Sequence, residues 1–102
     1  MVIAEVSIVP VGTKTASVSK YVAKAFETVI EHEKVKCQLT AMGTLLEGNL
    51  NDVLESIKLM HNSVFSKEVT RVVTSIKIDD RRDKEVSLDY KVQSVLKKLS
   101  TL

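Results

Sequence analysis

Glu47 is the side chain most readily given a chemical task. It ends the segment Gly43-Thr-Leu-Leu-Glu-Gly48, where a carboxylate at a strand tip can accept hydrogen bonds from an amine or a protonated ring nitrogen. The two glycines match neither a phosphate loop nor a dinucleotide fingerprint. A plainer reading stands beside the first, in which they are strand ends that need glycine for turns. The hydroxyl-rich run Thr13-Lys-Thr-Ala-Ser-Val-Ser19 also allows two readings. Free backbone N–H groups at a helix entrance can hold an anion or a ligand hydroxyl, or Thr15 or Ser17 can simply cap the helix.

The remaining reactive residue types do not assemble into a site. His32 and His61 fall on different helices with no ligand-spaced partner, so no metal site is expected. His61 lies on an apolar stripe and reads as a partly buried, hydrogen-bonded histidine, while His32 reads as a solvated helix end. Cys37 sits in a probable strand without a CxxC partner and reads as a small apolar filler, although Lys34 and Lys36 are near in sequence. In Asp79-Asp80-Arg81-Arg82-Asp83-Lys84 the arginines compete with any cation for the carboxylates, leaving a solvated loop or intersubunit ion pairs. No base–nucleophile pair stands at a spacing that supports catalysis, so no catalytic residue and no cofactor is expected.

Bulk properties bound the rest. The 102 residues carry 15 basic and 13 acidic side chains, a formal charge of +2. That balance suggests neither a nucleic-acid nor a membrane partner. No stretch approaches the roughly 20 apolar residues of a membrane span. The opening Met-Val-Ile-Ala-Glu lacks the pattern of a signal peptide, and the lone cysteine suits a reducing compartment. A cytoplasmic address and one domain over residues 1–102 are therefore expected.

Stepping from strand to helix periodicity along the chain gives the elements. Residues 2–11 read as a first strand, and Val18, Tyr21, Val22, Ala25, Phe26, Val29 and Ile30 follow helical spacing. Strands are predicted over 36–41 and 43–47. Asn49 is a plausible N-cap for a second helix whose stripe runs from Leu50 to Phe65, with Asp52 in its favourable first turn. Residues 69–78 read as a fourth strand, and Ser87 caps a last helix with Leu88, Val92, Val95, Leu96 and Leu99 on one side. The order βαββαβ predicts an α+β, ferredoxin-like fold: an antiparallel four-stranded sheet covered on one face by two helices, plus a C-terminal helix.

That fold leaves one sheet face without helices. Ala4, Val6 and Ile8, with Val72, Thr74, Ile76 and Ile78, are expected to meet the helices. The opposite face carries Ile3, Val9, Val73, Glu5, Ser7, Ser75 and Lys77, too apolar in parts for full exposure, with charges able to pair across central strands. Packing against a second copy would bury it; a solvated face with scattered valines is the alternative. The predicted interface is Glu5, Ser7, Val73, Ser75 and Lys77.

Glu5-Val-Ser-Ile-Val-Pro-Val-Gly-Thr13, Ser17-Val-Ser-Lys-Tyr-Val22, Met42-Gly-Thr-Leu-Leu-Glu-Gly48 and Arg71-Val-Val-Thr-Ser-Ile-Lys-Ile-Asp-Asp-Arg-Arg-Asp-Lys84 together resemble the small thiamine-binding-protein-like family. The resemblance implies ferredoxin-like subunits whose sheets pack into dimers, the dimers pairing into a tetramer. It also implies thiamine or its hydroxymethylpyrimidine part as ligand for some relatives. Thr44, Glu47, Ser17 and Ser19 match motif positions, and a ligand-binding set of those four residues is the working hypothesis. Thiamine asks for a carboxylate toward its aminopyrimidine, which Glu47 can supply, and an aromatic face or anion toward its cationic ring. Tyr21, Tyr90, Phe26 and Phe65 are the aromatic residues, and two of them read as core. The alternatives are a non-enzymatic assembly protein and an anion-binding regulator using Lys14 and Lys20.

Overall fold

A computed structural model describes residues 1–101 of the chain. Its elements are β1 (Val2–Pro10), α1 (Ser19–Glu27), β2 (Lys36–Thr40), β3 (Gly43–Gly48), α2 (Leu50–Ser63), β4 (Val72–Asp79) and α3 (Leu88–Leu99). The four strands form one sheet in the order β2-β3-β1-β4, with every neighbouring pair antiparallel. This is the predicted ferredoxin-like arrangement with its additional C-terminal helix.

Side-chain alternation in β1 sets the layers. Val2, Ala4, Val6 and Ile8 point to the face covered by α1 and α2, and all four are buried. They meet Val53, Ile57 and Met60 of α2 and Val64 at its C-cap, which recur at intervals of three and four residues, and Ala25 and Val29 from α1 and its exit. Leu46 of β3 completes this core with no exposed surface. Asn49 caps α2 as expected, its side chain accepting from the Asp52 N–H at 3.0 Å. Ser87 does the same for α3 through the Tyr90 N–H, also at 3.0 Å.

Two local expectations fail. Neither Thr15 nor Ser17 caps α1: the cap position is Val18, with no side-chain hydrogen bond. The Thr15 hydroxyl instead accepts from the Ser17 N–H at 3.2 Å, closing a local turn that competes with helix capping. The glycines of β3 also have a different role, since neither has a positive φ. A Cβ on Gly43 would stand 2.6 Å from the Val6 carbonyl oxygen, and one on Gly48 2.9 Å from that of Lys34. Close backbone approach, and not turn conformation, demands them.

The helix layer also stops short of one edge. Ile76 and Ile78 lie on the helix side of β4, as the alternation predicted, yet Ile76 is 48% exposed. β4 is an edge strand, reached by α2 through a 2.6 Å hydrogen bond between His61 Nδ1 and Thr74 Oγ1. That bond and an edge-on contact with Phe65 fix the imidazole in the partly buried setting predicted for it.

Candidate functional site

Antiparallel register places the four proposed ligand residues. Thr44 lies opposite Val6 and Glu47 opposite Ile3, so the two point to opposite faces of the sheet. Thr44 faces the helices, where a crevice of about 230 Å³ opens between α1 and the ends of β1 and β3. Its walls are mainly apolar, among them Val6, Ile8, Val18, Val22 and Met60, with the β2–β3 turn at Met42 as rim. Thr44 is only 3% exposed. No hydrogen bond from its hydroxyl is found among the described residues, and no side-chain oxygen is sealed without a partner. The hydroxyl therefore reaches the crevice as a polar group with spare capacity, an arrangement that orients one ligand atom inside an apolar site.

Ser17 and Ser19 stand on an adjoining groove between α1 and β2, lined also by Val18, Val22, Phe26 and Leu39. Their hydroxyls are 3.3 Å apart and exposed. Val18, Val22, Thr40 and Ala41 line both hollows, so Thr44 and the two serines border neighbouring hollows with shared walls. Spacing carried no signal for Val18, Val22 and Met42 as walls: they read as ordinary helix and turn positions, and only the three-dimensional crossing of α1 over the sheet joins them.

Glu47 is elsewhere and already engaged. It sits on the sheet face opposite the crevice, where its Oε1 accepts the Leu88 N–H at 2.8 Å. The structure therefore does not bring it together with Thr44, Ser17 and Ser19. A carboxylate at a helix's first N–H satisfies an orphan donor and opposes the positive end of the dipole. The uncovered face is thus not wholly uncovered. Lys36, Glu47, Ile3 and Asp79 align in one row across all four strands, and the first turn of α3 rests on it. Leu88 and Val86 bury Ile3 beside Leu45, while Lys36 meets Asp89 at 3.1 Å and Lys91 meets Asp79 at 2.6 Å. Val86, just before the cap, is the apolar residue whose contribution spacing did not reveal.

Beyond that row, Leu45 apart, the face is bare. Glu5 opposes Lys77, Ser7 opposes Ser75 and Val9 opposes Val73 in register, and Glu5, Val73, Ser75 and Lys77 are exposed. Elsewhere, Arg81 binds Asp83 and Arg82 binds Asp80 through paired hydrogen bonds. Those guanidinium contacts hold both carboxyls below their ordinary range. Lys84 meets the Tyr90 hydroxyl, whose pKa is lowered by that hydrogen bond and the ammonium charge. Burial pushes the Cys37 thiol up, and its Sγ–H donates to the Val29 carbonyl at 3.3 Å. That is the behaviour of a packed thiol and not of a nucleophile. Among the described residues no cluster of three metal-ligating side chains occurs, and no helix is long and apolar enough to cross a membrane.

Residues 4–96 match the family model for thiamine-binding protein. The chain belongs to that family. It is 49% identical over 102 residues to the UPF0045 protein YqgV of Bacillus subtilis, covering 97% of this chain and 98% of the relative. The crystal structure of the hypothetical protein MJ1052 of Methanocaldococcus jannaschii is similar, with a TM-score of 0.83 at 47% identity over 92% of this chain and 94% of that one. A Thermotoga maritima protein, TM0486, provisionally described as a thiamine biosynthesis/salvage protein, shares the fold. Its TM-score is 0.75 at 17% identity, covering 92% of this chain and 97% of that one.

Proposed function

We propose that the protein is a homo-oligomeric, cytoplasmic small-molecule-binding protein that takes up thiamine or a related hydroxymethylpyrimidine and catalyses no reaction of its own. The observation that carries this reading is the hydroxyl of the buried Thr44, which has no hydrogen-bond partner among the described residues and opens onto an apolar crevice of about 230 Å³. That space is below the roughly 300 Å³ of the smallest drug-sized pockets, which suits one substituted ring. The Thr44 hydroxyl can donate to a ring nitrogen or accept from an exocyclic amine. The adjoining groove beside Ser17 and Ser19 offers room for a second ring. Membership of the thiamine-binding protein family supports the same ligand class.

In this reading Glu47 does not touch the ligand and instead anchors α3 on the far face. An anion-binding role for Lys14 and Lys20 has less support, because Glu68 lines the same hollow and opposes an anion there. Calorimetric titration with thiamine and with hydroxymethylpyrimidine tests the proposal. Binding by the natural chain and at least tenfold weaker binding by Thr44→Val are expected. No heat and no thermal shift at millimolar ligand would remove it.

A further inference from the structure

β1 outruns its neighbour on one side. Its ladder with β3 ends at Val6 opposite Thr44, because the chain enters β3 from β2 through the turn at Ala41 and Met42. On the other side β1 stays paired with β4 as far as Pro10 opposite Val72. The backbone of residues 7–10 therefore has a strand along one edge only.

Strand geometry decides which of those groups point to the open edge. The N–H and C=O of one residue leave a strand on the same side, and successive residues alternate. The Val6 carbonyl oxygen faces β3, since it lies 2.6 Å from where a Cβ on Gly43 would stand. Val11 donates to the Arg71 carbonyl on the β4 side. Both observations assign the even-numbered Ile8 to the β3 side, past the end of β3. In a longer ladder Ile8 would exchange two hydrogen bonds with Met42. Among the described residues it makes neither, and the Met42 N–H turns instead to the Thr40 hydroxyl at 3.4 Å. The next residue on that side is Pro10, which has no N–H to leave unpaired.

The crevice that holds Thr44 opens on this spot. Ile8, Met42 and Gly43 line it with Thr44, and Val22 and Met60 supply apolar wall. A backbone donor and acceptor left open against such a wall call for a partner.

We infer that the Ile8 N–H and C=O orient the ligand in this crevice, and that they select a planar ring carrying an acceptor nitrogen next to an exocyclic amine. Such an edge presents one acceptor and one donor side by side, as Met42 would in a longer ladder. The Ile8 N–H donates to the ring nitrogen, and the amine donates to the Ile8 carbonyl. The Thr44 hydroxyl is then free to meet a second ring nitrogen. This assignment rests on the small-molecule reading above and names what that site selects. The selecting groups are backbone, so no side-chain pattern marks them.

Two probes test it: the hydroxymethylpyrimidine, which carries the exocyclic amine, and the same ring with a methyl group in place of that amine. The methyl compound leaves the Ile8 carbonyl unpaired, and calorimetry is expected to show at least tenfold weaker binding. In NMR titration of isotope-labelled protein, the Ile8 amide is expected to shift most among the amides of β1 when the amino compound binds. Without ligand, that amide is expected to exchange with solvent at least tenfold faster than the amide of Val6. Equal affinity for the two compounds, an Ile8 amide unmoved by the bound amino compound, or one as protected as Val6 in the free protein overturns the assignment and leaves a site built on Thr44. No binding of either compound or of thiamine overturns the small-molecule reading, and the assignment with it.

Discussion

The two faces of the sheet are finished to different degrees. On the helix side, Ala4, Leu46 and Val53 have no exposed surface, and α1 and α2 close the layer within one chain. On the other side only one row and the neighbouring Leu45 are covered, by one turn of α3 held between two ion pairs and the Glu47–Leu88 hydrogen bond. The first face is what the chain needs to fold. The second carries apolar surface that a lone fold does not use, which is the usual mark of an interaction surface.

Substitutions on the two faces should separate accordingly. Leu46→Ala removes a fully buried side chain from the closed face and is expected to cost about 2–5 kcal/mol in urea unfolding. Leu96→Ala in dilute, monomeric protein is expected to change stability by less than about 0.5 kcal/mol. Comparable losses at both positions would break the contrast. At the one covered row, Glu47→Ala leaves the Leu88 N–H without its acceptor in a buried setting and is expected to cost about 1–3 kcal/mol. Glu47→Gln keeps an acceptor and should cost less; equal losses would mean that charge, and not capping, is what Glu47 supplies.

Smaller effects sharpen the same picture. Asn49→Ala and Ser87→Ala each remove a capping acceptor, at about 1 kcal/mol. The Asn49 loss should appear in global unfolding. The Ser87 loss should appear mainly as lower helicity at α3. Least in energy is the thiol. Because burial raises the Cys37 pKa, the folded state holds that proton more tightly than the unfolded state. The contribution is intact below the ordinary thiol value of 9.0 and is lost as pH climbs through the raised folded value. Alkylation at pH 8 should be slower in native than in urea-unfolded protein, and equal rates would contradict the packed-thiol reading.

Periodicity made the fold legible because each element has one dominant period: two in β1, near 3.6 in α2 and α3. The caps at Asn49 and Ser87 were legible for the same local reason. The covering of Ile3 was not, since it depends on where an eight-residue connection delivers Val86 and Leu88. Nor was the exposure of Ile76 and Ile78, because a strand pattern records which face a side chain takes and not how far the helix layer extends. The candidate site divided along the same line. Thr44 was singled out with Glu47, three residues apart in the chain, and an odd spacing in a strand puts them on opposite faces. The walls of the crevice come from segments distant in sequence and carry no common motif.

Hydrogen exchange along α3 at two protein concentrations separates the face closed within the chain from the face that the proposed self-association would close. If a second copy covers the open face, amides from Val92 to Leu99 are expected to be protected at tens of micromolar and to exchange at least tenfold faster at nanomolar concentration, while those of α2 stay protected throughout. Exchange along α3 that is independent of concentration, in both range and rate, would contradict it.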